Sequence, residues 1–487
     1  MKFLALILAL RVLLPVNNQQ EFDRLESDLE TVLASGDTLA DVRLAQGVYY
    51  FRENHLLLDG IDRPDFHLRI SGNGAVLVAV STGREYHLDK GFVDMSALEP
   101  VDIREPVRKA GCWPVPVPFR RGLYMIRCDE SDRSEDEVAG WHIILSQWFK
   151  GTVYPVVKIR RGWLFFRKER DYGTGMWSEL RFGRCLPRYI LCHPPVRTDL
   201  YPCGSSNFIT VKDSKLKSLS MDGVSFLGNK SGEPLIWIER LSAESVWIAD
   251  CTFTGIRSDV ISSEETDHLL VKNCFFKMNY LSCLEIGEGG ADVRIEHNRF
   301  LDNGLMMSNA PVVHCQAKEY RIAENYFEDF SYSAIGVGIH YTKPDRYGTS
   351  GLVEKNEICM SAAFRRGVQR ALIDAGAIYV QTINARTVIR DNHIHDILGP
   401  HGNRGIFADD GAVNVEIAGN RIYHIWNGYC IDLRRCYRVG RESKSKITRP
   451  NVGNKVYDNI CDGRMRLFIR QYDPTSLLSN NVTINSL

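Results

Sequence analysis

The chain has 487 residues, 44% hydrophobic and 25% charged, and its 60 basic side chains cancel 60 acidic ones. This is the composition of an ordinary globular protein, and with no net charge there is no global field to attract nucleic acid or an anionic membrane. Length alone permits two to four ordinary domains or one long solenoid.

Met1-Lys2 and the apolar run Phe3 to Val16 have the shape of a secretory signal, with a basic end and an apolar stretch too short to span a bilayer. Cleavage is expected before Glu21, making residues 1–20 a leader and the mature protein secreted or periplasmic, without a membrane span. Residues 21–45 begin as a helix with Phe22, Leu25, Leu29 and Leu33 on one stripe, then alternate as a strand. This suits a short helix capping the open end of a coil of strands. LRISGNGAVLVAV, residues 68–80, adds a strand pair, so the cap and first coils occupy 21–100.

Residues 101–203 break the rhythm and carry Trp113, Trp141, Trp148, Trp163 and Trp177 among paired strands such as YPVVKIRRGWLFF. They are expected to form an inserted antiparallel β module. Its tryptophans suit either the apolar faces of sugar rings or a small β core that needs bulky residues.

From residue 204 onward a phrase recurs: VWIADCTF, LLVKNCFF, VRIEHNRF, YRIAENYF, LVEKNEI, TVIRDNHI, VEIAGNRI and KVYDNI. Its marked residue falls at Cys251, Cys274, Asn298, Asn325, Asn356, Asn392, Asn420 and Asn459, in steps of 23, 24, 27, 31, 36, 28 and 39. A step with a floor and irregular excess describes a coil of short strands whose insertions bulge out as loops. VRIEH, YRIAE and VEIAG alternate with period two, which excludes helical solenoids, and the L-x-x-L-x-L phrases of leucine-rich repeats are absent. The expected fold is all-β, a right-handed parallel β-helix. The marked residues should share one inward turn position, where each Asn bonds its neighbour's backbone in a ladder; they are assigned no chemistry. The final NNVTI, residues 480–484, reads as a last partial rung. The 13 cysteines are odd in number and several sit on coil positions, so they do not form a disulfide framework.

Excess length concentrates between Asn325 and Asn459, so the functional loops are expected there. They carry Asp374, Asp409, Asp410 and Asp432, with His340, Tyr379, His395, His401, Arg404 and Arg434 nearby. Counting back 11 residues from successive Asn puts His314, Gln381 and Asp409 in one column. Aligning RGIFAD with NGYCID puts Asp432 beside Asp409, where like charge should raise one pKa. Asp374 enters its strand early, so joining this group requires a bend near Gly376. His393 and His395 alternate within a strand, which makes one of them core, and spacing gives no cluster of three metal ligands.

LIDAGAIYV, NHIHDI and GIFADDGA resemble phrases of right-handed β-helix glycoside hydrolases of the fucosidase/xylanase type, glycoside hydrolase family 141 and its uncharacterised relatives. The tryptophan-rich insertion with SQWFKGTVYPV looks like a module those proteins carry near the N-terminus. The resemblance spans nearly the whole chain, but only the phrases around Asp374 and Asp409-Asp410 are specific. It implies a pectate-lyase-like solenoid, no cofactor, a carbohydrate partner, and two catalytic carboxylates: Asp374 and one of Asp409 or Asp410. Because DDG suggests a turn, Asp410 is favoured as catalytic, with Asp409 supporting it. Asp432, Tyr379, Gln381, His340, His401, Arg404 and Arg434 are the candidate substrate-binding residues of a monomeric enzyme. Two departures stand out: Ala408 replaces the usual Leu, and the Arg-rich FRRGVQRALI precedes Asp374. The rival readings are a lyase or epimerase, recruiting Lys343, Arg404, Tyr379 or His401 as base, and a noncatalytic carbohydrate-binding helix.

Overall fold

The computed structural model describes residues 11–51, 55–79, 103–104, 117–120, 123–127, 131–135, 137, 142–147, 150–167, 188–192, 207–228, 233–304, 310–338, 349–361, 375–381, 386–397, 403–409, 412–426, 428–434, 436–439, 446–449, 452–467 and 476–483. Parallel pairing dominates and each strand bonds the strand one turn away, which is the right-handed parallel β-helix the period predicts. Three stacks of strands form its faces. The first runs through Ile236–Ser242, Ile261–Glu264, Leu284–Ile286, Val313–Cys315, Ile335–Val337, Ile378–Val380, Arg404–Ala408, Tyr429–Leu433 and Met465–Leu467. The second includes Val293–Glu296, Glu319–Ala323, Ser350–Glu354 and Arg386–Arg390. The third includes Tyr326–Phe330, Glu357–Cys359, His393–Ile397 and Arg421–Ile425, and ends at Val482–Thr483, the partial rung.

Two long strands, Asp62–Ala79 and Ile209–Leu227, pair directly with each other. Everything between them in sequence is therefore inserted between adjacent rungs. The strands found there, between Ile103 and Cys192, form a separate seven-stranded antiparallel sheet. At the N-terminal end the helix Leu25–Ser35 buries Leu25, Leu29 and Val32 in the common core and stops at Gly36, whose φ of 84° fits the left-handed cap. Val32 is buried where Leu33 was expected; Leu33 is only partly covered. Arg11–Val16, the second half of the leader-like run, is a strand paired with Leu39–Leu44, and Val16 is buried. Cleavage before Glu21 would remove that strand.

The recurring phrase is the corner between the second and third faces. The residue before each marked position turns left-handed: Asp250, Asn273, His297, Glu324, Lys355, Asp391, Gly419 and Asp458 have φ between 51° and 64°. One such residue redirects the chain, and Asn and Asp tolerate it best. The marked residues are buried inside the turn, Cys251 and Cys274 among them. Asn298 Oδ1 accepts only the Cys274 backbone N–H, and from Asn325 to Asn459 each Asn receives its neighbour through two bonds. Asn325 Oδ1, for example, accepts from the backbone N–H (2.9 Å) and Nδ2 (3.0 Å) of Asn298. Beside this ladder Phe226, Phe253, Phe276, Phe300 and Phe327 stack with centroids 4.5 to 5.3 Å apart, and Ile358, Ile394 and Ile422 continue the column. Cys251, Cys274, Cys283, Cys315, Cys359, Cys430 and Cys461 are buried free thiols.

Candidate active site on the first face

Alternation on the first face points every second residue outward, and rungs lie about 4.8 Å apart. The outward column runs Trp237, Ser262, Glu285, His314, Gly336, Tyr379, Phe407, Asp432 and Arg466. Two residues further along each strand, Gln381 and Asp409 share the next column, since Val380 pairs with Ala408, and Arg434 follows because Ala408 pairs with Leu433.

Two register expectations are corrected here. His314 lies in the Tyr379 column, not with Gln381 and Asp409. Asp432 stacks on Phe407, and Arg434 occupies the place beside Asp409. The error is a slip of two residues. Such a slip keeps inward and outward faces the same, so alternation could not reveal it.

Asp409 is 9% exposed and accepts the Tyr379 hydroxyl at 3.0 Å. The Tyr379 oxygen in turn accepts Gln381 Nε2 at 2.7 Å. Thus a carboxylate, a phenol and an amide from two rungs form one chain. Phe407 packs its fully buried ring beside them, at 5.2 Å from Tyr379, with Arg404 Cζ 3.9 Å from its centroid and Arg434 Cζ at 5.2 Å.

Asp432 is fully buried and is surrounded by guanidinium rather than carboxylate. Arg404 Nε donates to it at 3.0 Å, Arg466 Nε at 2.8 Å with a second bond from Arg466 Nη2, and Arg434 Nε lies 3.5 Å away. The like-charge pairing with Asp409 is therefore absent. This hydrogen-bonded carboxylate raises the Arg466 pKa. Arg466 was not singled out from sequence, where only the alternation of MRL hinted at its outward placement.

Asp374, Asp410, His340 and His401 lie outside the described residues. The chain bends at Ala377, directly after Gly376. Gly376 has no room for a side chain, because a Cβ would sit 2.8 Å from Phe407 Cβ.

Nearer the N-terminus the first face carries an acid cluster that sequence reading missed. Burial, then the charge of Glu285, push the Asp259 carboxyl up to about 7, while its bond from the Ser282 amide (3.1 Å) and the nearby His314 oppose the shift. Glu285 Oε1 meets His314 Nδ1 at 2.7 Å, and Gln316 Nε2 meets the other ring nitrogen at 3.0 Å. The folded state holds this proton across the window from 3.8 to about 7, where the unfolded chain has released it, so stability falls as pH rises through that window. Asp259→Asn keeps the acceptor for Ser282 and is expected to stabilise the protein by about 1–3 kcal/mol near pH 8, fading by about pH 4. Urea midpoints at the two pH values check this; an equal effect at both would exclude titration as the cause.

On the third face His393 and His395 both turn outward around the buried Ile394, which corrects the reading of one as core. Glu357, one rung earlier, comes within reach of both. The three ligand atoms lie within 4.8 Å of one another, the cluster that spacing had not suggested.

No family model and no curated protein matches the chain. Among solved structures it is similar to one described as a glycoside hydrolase (11% identity, 96% of each chain, TM-score 0.42). It is also similar to the Azotobacter vinelandii mannuronan C-5 epimerase AlgE4 A-module (10% identity, 97% of this chain and 93% of that one, TM-score 0.43). XylC in complex with xylose gives 10% identity over 88% of this chain and 71% of that one, with a TM-score of 0.39. No helix among the described residues is long and apolar enough to cross a membrane.

Proposed function

We propose that the protein is a carbohydrate-active enzyme, a glycoside hydrolase whose carboxylates are Asp374 and Asp410, with Asp409 as the support of the second. The observation that carries this reading is the Asp409–Tyr379–Gln381 chain on one outward face, beside the Phe407 ring and two guanidinium groups. Glycoside hydrolysis needs one protonated carboxyl at the leaving oxygen and one ionised carboxylate that activates water or attacks the anomeric carbon. Asp409, already engaged by Tyr379, suits the supporting role, which leaves its neighbour Asp410 as the proposed catalytic carboxylate. Gln381 and Arg434 offer donors to hydroxyls, while the Phe407 ring is fully buried and packs against Tyr379. Export is supported by the basic-then-apolar start, Met1 to Val16, with cleavage before Glu21, which would remove the Arg11–Val16 strand. A second reading places the acid and its partner at Asp259 and Glu285, favoured by the raised Asp259 pKa.

The test is release of chromophore from aryl α-L-fucoside, β-xyloside, galactosides and arabinosides. One substrate should be turned over, and Asp374→Asn and Asp410→Asn should each abolish that turnover. Loss in Asp259→Asn with those two variants active would move the chemistry to the second pair. An unsaturated uronate product would make the enzyme a lyase, and binding without turnover of any oligosaccharide would make it a noncatalytic binding protein.

A further inference from the structure

We infer that Glu357, His393 and His395 form a binding site for a divalent transition cation of the zinc class on the third face, a different face from the one that carries Tyr379 and Asp409. The site is built over three successive rungs. Glu357 supplies a carboxylate from the first, His393 and His395 two imidazoles from the second, and Tyr423 a phenol from the third.

Tyr423 orders both rings, since its hydroxyl meets His393 Nε2 at 2.7 Å and its ring stacks on His395 at 5.2 Å with 13° between planes. Asp396 then fixes the tautomer of His395. Its Oδ2 lies 2.9 Å from His395 Nδ1, while its Oδ1 takes His424 Nδ1, also at 2.9 Å. A φ of 53° at Asp396 turns this carboxylate back against the ring. With the proton on Nδ1, the lone pair of His395 sits on Nε2. This carboxylate–histidine pairing is how proteins orient a metal-bound imidazole.

Nε2 of His395 is buried and makes no hydrogen bond. It faces Glu357 Oε1 at 3.5 Å. A lone pair and a carboxylate oxygen repel at that separation unless something positive lies between them. Two ligand atoms about 2.0–2.2 Å from one tetrahedral ion stand about 3.4 Å apart, close to the spacing found. One ring nitrogen of His393 completes a three-ligand set with a fourth position open to water. Two imidazoles and one carboxylate suit zinc, cobalt or nickel; calcium and magnesium prefer all-oxygen shells.

The test is titration of metal-stripped full-length protein with zinc by calorimetry and with cobalt by visible absorption. One saturable equivalent is expected, with cobalt d–d bands of nitrogen and oxygen ligation and no thiolate charge-transfer band. Glu357→Gln and His393→Gln should each weaken zinc by at least tenfold. Asp396→Asn, which touches no metal, should weaken it by about 10–100-fold. His297→Gln, at an exposed corner histidine, should leave the affinity unchanged. Glu357 is about half exposed, so its Gln variant should fold, and far-UV circular dichroism verifies that. Absence of saturable binding at micromolar zinc would overturn the site, leaving a His395–Glu357 ion pair. A thiolate band would overturn it in favour of the cysteines, and so would an equal loss in His297→Gln.

Discussion

Asn356→Ala is expected to lower the unfolding free energy by about 3–6 kcal/mol, because it opens the middle of the asparagine ladder where water cannot follow. Asn356 Oδ1 accepts the backbone N–H of Asn325 at 3.1 Å and its Nδ2 at 3.0 Å. Asn356 Nδ2 donates to the Ile322 carbonyl at 2.9 Å and to Asn392 Oδ1 at 3.0 Å. Alanine removes all four bonds and leaves two donors of Asn325 stranded in a buried corner, each costing about 1–3 kcal/mol. The same change at Asn481 breaks equivalent bonds to Asn459, at 2.9 and 3.2 Å, but on the half-exposed last rung. Water can replace them there, so a loss of about 1 kcal/mol is expected. Urea unfolding of the two variants distinguishes the cases. Equal losses, or a loss below about 1 kcal/mol at Asn356, would show that the ladder adds little beyond the strand bonds.

The ladder was legible because it repeats. Each phrase puts an Asn or Cys after a turn residue, and backbone bonds from Phe275 to Cys251, Arg299 to Cys274 and Tyr326 to Asn298 hold the same place in successive rungs. Cys251 and Cys274 were correctly placed with the asparagines, although neither carries the Oδ1 that accepts the paired bonds. The site was less legible, since it depends on how one rung is offset from the next. Loops of unequal length set that offset, and a two-residue slip leaves alternation intact, so Asp432 was set beside Asp409 instead of on Phe407. Glu357 and His393 are 36 residues apart, a distance that ligand spacing rules for single loops do not cover. Asp259 carries no local mark of its raised pKa; burial and Glu285 create it in three dimensions.

Asp432→Ala is expected to cost about 3–5 kcal/mol of stability, the usual consequence of leaving a buried charge without its partner. The charge in question is Arg404, 3% exposed, while Arg434 and Arg466 at 35% and 25% can turn toward water. The guanidinium of Arg404 lies 3.9 Å from the Phe407 centroid, so losing its anchor should also loosen this buried ring, which packs against Tyr379. Removing both charges should recover much of the loss: Arg404→Met with Asp432→Ala leaves no buried ion. A double-mutant cycle in urea measures this coupling. Asp432 was named from sequence as a substrate ligand, but it has no exposed surface with which to meet a sugar. If it acts through Arg404 and Phe407, its variants should lose stability first and substrate affinity as a consequence, with the double variant restoring the stability. A variant of Asp432 that kept its urea midpoint yet raised KM severalfold would return the residue to direct contact with substrate.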